Sequence, residues 1–115
     1  MKIKILAISM IVALSGNAAQ AADCGEMPSD TPSVPNGSAA GADDIRTARL
    51  SVVAFSNKVD AFLTCMDQRA SRILPYLTKE QKARWEEDLA NLHEKRRELQ
   101  TEMNLAIREF RKASR

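Results

Sequence analysis

Cys24 and Cys65 are the two cysteines of this 115-residue chain, His93 is its one histidine, and Glu86, Glu87 and Asp88 are three acids in a row. These are the side chains whose types could do chemistry, and their spacing limits what that chemistry is. Two thiols and one distant imidazole fall short of the four ligands of a structural zinc site, so no metal is expected. A Ser-His-Asp triad needs a polarised nucleophile beside an oriented imidazole. His93 instead follows Leu92 in a charged helical stretch, and no Gly-rich turn is present to display a nucleophile. Consecutive helical residues point in different directions, so the three acids do not form a working carboxylate pair. No catalytic residue and no cofactor are expected. What remains is the chemistry of the thiols. In an oxidising compartment two cysteines favour one intrachain bond, Cys24 to Cys65, over an intermolecular bond or two free thiols.

The compartment is read from the N-terminus. Lys2 and Lys4 precede an apolar run over 5–14, which Ser15, Gly16 and Asn17 interrupt, and Ala19-Gln20-Ala21 follows. This is the layout of an export signal over 1–21, cut after Ala21. A retained anchor would need about 20 apolar residues. A lipoprotein signal would need a small residue where Asp23 precedes Cys24. The expected product is periplasmic, with no membrane span once the signal is removed. The whole chain has 17 Lys+Arg against 15 Asp+Glu, a formal charge of +2. Lys2 and Lys4 are the surplus, so the exported part is neutral and offers no bulk electrostatic case for nucleic acid.

Behind Cys24 comes a strap, 22–42, with Pro28, Pro32 and Pro35 and then Asn36-Gly37. Proline fixes φ and removes a donor, so this segment reads as extended, with a turn at Asn36-Gly37. Its charges are the acids Asp23, Glu26 and Asp30. The remainder of the exported chain carries the balancing basic excess, which suggests an acidic strap on a mildly basic body.

Two helices form that body, over 43–74 and 79–113. Gly41 is a plausible N-cap for the first, and Asp43 and Asp44 suit its positive end. Its seam is Ile45, Ala48, Val52, Phe55, Val59, Phe62, Met66 and Ile73, spaced in alternating threes and fours with Arg69 in one slot. Pro75 ends it. Thr78 and Gln81 make a capping box for the second helix. Its seam is Trp85, Leu89, Leu92, Arg96, Leu99, Met103, Ala106 and Phe110. So short a connection makes the helices antiparallel neighbours. Folding at the turn sets Met66 opposite Leu89, Phe62 opposite Leu92, Phe55 opposite Leu99, Val52 opposite Met103 and Ile45 opposite Phe110. The two seams thus agree in register, in the manner of a coiled coil. Arg69 falls opposite Trp85, within reach of a cation–π contact. Arg96 falls opposite Val59, where its head must snorkel outward. Leu50, Val53, Leu63, Leu105 and Ile107 lie off the seam, available to the strap, a partner or solvent.

Two likenesses bear on function. Leu77-Thr78-Lys79-Glu80-Gln81 resembles the LTxxQ motif of the Spy/CpxP type of periplasmic stress protein, a helical group that includes cradle-shaped chaperone dimers and metal-linked relatives. The longer pattern resembles a group of small exported helical proteins of Gram-negative bacteria. Its parts are Cys24, Pro32-Ser33-Val34-Pro35-Asn36-Gly37, the stretch from Ala48 to Phe62-Leu63-Thr64-Cys65, and Met103-Asn104 through Phe110. That resemblance implies the architecture and no activity. The expectation is an all-α, non-enzymatic periplasmic hairpin acting through an unidentified protein partner or by self-association. The alternative is a Spy/CpxP-like chaperone or stress-response protein.

Overall fold

A computed structural model describes residues 24–115, so the expected export signal over 1–21 and its expected cut after Ala21 fall outside the described residues. Helix α1 spans Ala42–Ile73 and helix α2 spans Lys79–Ala113, joined by a 3-10 turn at Leu74–Tyr76. At about 1.5 Å per residue, the helices are roughly 48 and 52 Å long. They pack as a hairpin, and α1 begins and ends one residue before the expected 43–74. The Asp44 carboxylate accepts the Gly41 N–H at 3.0 Å, which closes the first turn around Ala42. At the other end Pro75 sits in the first turn of the 3-10 segment, and the Leu77 N–H reaches the Leu74 carbonyl at 3.2 Å. The proline therefore tightens the chain before it reverses.

Helix α2 starts on a complete capping box. The Gln81 N–H donates to Thr78 Oγ1 at 3.1 Å, and the Thr78 N–H donates to Gln81 Oε1 at 2.9 Å. Two orphan donors of a helix end are thereby satisfied. Replacing Thr78 with alanine is expected to cost about 1 kcal/mol. Urea denaturation measures it, and the loss should be much smaller for alanine at the neighbouring exposed Lys79.

The core is the paired seam. Ile45, Ala48, Val52, Phe55, Val59 and Phe62 from α1 are buried against Leu92, Leu99, Met103 and Ala106 from α2. Met66, Leu89 and Phe110 pack against this core while partly exposed. Leu63 corrects the expectation that it lies off the seam, since it is buried and belongs to the core. It sits one residue past Phe62, and a 3.6-residue helix drifts from a strict seven-residue repeat, so both reach the interface. Leu50, Val53 and Leu105 stay about half exposed or more.

The strap supplies a third layer. Cys24 is bonded to Cys65, which ties its start to the last third of α1. From there it runs back toward the start of α1, with Cys24, Val34 and Ala40 packed on the core. Ser51, Ala54, Lys58, Ala61 and Cys65 form the bed for its first half. Four of those five side chains are small, and all but Cys65 stay exposed beside a cleft of about 740 Å³ between strap and helix. A strap with no sheet to join has few partners for its backbone donors, and Pro28, Pro32 and Pro35 remove three of them.

At its far end the strap crosses to α2. Asn36 folds an Asx turn, its Oδ1 accepting from the Ser38 N–H at 3.1 Å and its carbonyl from the Ala39 N–H at 3.1 Å. The turn presses Gly37 flat against α2. A β-carbon at Gly37 would meet the Ala106 carbonyl oxygen and stand 2.7 Å from its carbon and 2.9 Å from its Cα. Gly37 is buried for that reason: it is glycine because two backbones touch there.

Candidate functional site

A hairpin of two helices has two sides, and the strap runs along one, with a cleft of about 740 Å³ between its first half and α1. The other side is open near the start of α1 and the end of α2, as a cleft of about 720 Å³. Buried Ile45, Val52 and Met103 lie beneath it, and its accessible apolar surface comes from partly exposed Ile107 and Phe110 on α2 and half-exposed Val53 on α1. Its walls carry Arg46 and Arg49 from α1 and Arg108 and Arg111 from α2. Gln100 and Asn104 add two amides. No carboxylate is among the lining residues that the structure describes.

Helix periodicity produces this segregation. On α2, Gln100, Asn104, Ile107, Arg108 and Arg111 recur at threes and fours and so share a side. Glu102 and Glu109 fall on the opposite flank, beside Val34, Pro35 and Gly37 of the strap. The helix end explains part of the basic rim, because Arg108 and Arg111 lie near the negative end of α2. Arg46 and Arg49 lie toward the positive end of α1, where the dipole gives no reason for cations. Arg46 has one neighbour of opposite charge, Asp43 at 3.1 Å, and both are largely exposed.

Further along the same face, Arg96 leaves the seam beside Val59 and pairs with the Asp60 carboxylate across the two helices. Its other terminal nitrogen donates to His93 Nδ1 at 3.4 Å. The side chain of Arg96 is 29% exposed and that of Asp60 61%, so water screens the pair. A double-mutant cycle on Asp60→Ala and Arg96→Ala is expected to return a coupling of about 0.5–1 kcal/mol. A coupling of zero would mean that the pair does not help hold register.

The remaining expected positions are placed as follows. Arg69 and Trp85 are both half-buried near the turn end of the hairpin. Thr78 and Gln81 serve the cap, which accounts for the LTxxQ-like residues locally. His93 is an exposed neighbour of Arg96. Among the described residues no three His, Cys, Asp or Glu side chains converge as a metal site, and no helix is long and apolar enough to cross a membrane. The anticipated acidic strap on a basic body is realised differently. Glu26 and Asp30 are exposed over a bed whose one basic side chain is Lys58, while Arg46, Arg49, Arg108 and Arg111 gather on the side without the strap.

Sequence reading missed two features. The arginine-lined groove could not be seen until it was known which side the strap covers. The strap bed did leave a signal: Ser51, Ala54, Lys58, Ala61 and Cys65 form a second stripe with alternating spacings of three and four, ending on the disulfide cysteine. Comparison with known proteins returns no matching family model, no matching curated protein and no matching solved structure.

Proposed function

We propose that this chain is an exported, non-enzymatic interaction protein of the periplasm that works through the side of its hairpin the strap leaves open. One observation carries the reading: the strap lies along one side of the hairpin and meets the α2 backbone at Gly37, and the side without the strap keeps an apolar patch between four arginines. Exposed apolar surface rimmed by polar residues marks interaction sites. The disulfide fits an oxidising compartment, and the export-signal pattern of 1–21 supports the same address.

Photocrosslinking in the periplasm tests this. A photoreactive residue at Val53 should give a discrete protein adduct, and one at Met27 on the strap should not. Equal labelling from both positions, or none from either, would overturn the reading. The alternative of a Spy/CpxP-like holdase rests on exposed Leu50, Val53 and Leu105. It requires that the purified protein suppress aggregation of an unfolding client at equimolar ratio, and no suppression removes it.

A further inference from the structure

We infer that the open groove seats an acidic amphipathic helix from a partner protein. This deepens the interaction reading above and rests on it. The two walls are antiparallel helices, so the trough between them has the form that a third helix fills by laying its apolar face on the floor. Partly exposed Ile107 and Phe110 are its anchor points on α2, with half-exposed Val53 on α1. Charge selects the occupant. Arg46, Arg49, Arg108 and Arg111 stand on both sides of the floor with no carboxylate among the described lining residues, so flanking Glu and Asp side chains on the incoming helix would meet arginine on either side. Arginine presents a planar fork that grips a carboxylate through two hydrogen bonds.

The same observations argue against two other occupants. A second copy of this chain would bring the same basic rim, and two such rims placed together repel. A membrane surface is flat, so its anionic groups would reach the arginines while the floor between them stayed uncovered.

The probe is a stapled acidic peptide of about 14 residues, with leucine every three or four positions and glutamate beside them; the staple removes the cost of forming so short a helix. Its binding to the full disulfide-bonded protein is followed by fluorescence anisotropy. Saturable binding that weakens as salt rises is expected. The double variant Arg49→Glu/Arg108→Glu should weaken it at least about 10-fold, because attractive contacts become like-charge ones. Arg49→Gln/Arg108→Gln should fall in between and guards against misfolding of the reversed form. Glu102→Lys, on the strap flank, should bind as the parent does. No peptide binding, equal binding by all variants, binding to phosphatidylglycerol vesicles in place of the peptide, or a dimer that the reversed variant dissociates would each overturn the inference. Failure here with a surviving Val53 crosslink would discard the acidic helix and keep the interaction reading.

Discussion

Replacing Cys24 and Cys65 together with serine is expected to cost about 4 kcal/mol of stability, the entropy of a loop whose ends are 41 residues apart. For a domain of this size that is a fall in melting temperature on the order of 20 °C. The effect arises in the strap, not in the helices. The seam residues of α1 and α2 are close in sequence across one turn and find each other without help. Residues 24–41 have no helix or sheet of their own, and Val34, Ala40 and Cys24 are their main apolar contacts with the core. Without the covalent tie, the ordering cost of some eighteen residues stands against that small apolar contact. The strap should then detach and become sensitive to protease while helical circular dichroism is largely retained. A reduced protein with an unchanged melting temperature and a protected strap would show that packing alone holds it.

The second large effect is expected at Gly37. Gly37→Val should destabilise by about 3 kcal/mol, the upper range for forcing extra atoms into a packed site. The obstacle is the main chain of α2 at Ala106, which cannot swing aside as a flexible side chain does. Gly25 offers the contrast. It adopts a positive φ of 73° with open space around it, so alanine there meets backbone strain and no clash. The Gly37 and cysteine substitutions act on one element and are not additive. Once the disulfide is gone and the strap is loose, Gly37→Val should cost little. Full additivity would mean that the strap is held independently at its two ends.

Much of this architecture was legible in the sequence because the strongest signals were periodic. The agreement of two independent seams gave the antiparallel register, and Arg96 reaching Asp60 beside Val59 fits that register. The capping residues were equally local: Thr78 and Gln81 need only each other. Leu63 was misplaced because a strict heptad was imposed on a helix that drifts from it. Gly37 was read as a turn residue, and it is one, but its burial against Ala106 depends on where the whole strap lies. The arginine groove is more remote still. Arg46 and Arg49 lie some sixty positions from Arg108 and Arg111 in the chain. Their convergence is a product of register, and their exposure a product of the side the strap takes.

The strap is a fixed third layer along one side of the hairpin and leaves the other side uncovered. A two-dimensional nuclear Overhauser spectrum of the oxidised protein tests this most directly. The account predicts cross-peaks between the Gly37 α-protons and Ala106, and between the Val34 methyls and core protons. Random-coil shifts for 24–41 with no cross-peak to α2 would contradict it, and would leave both sides equally uncovered.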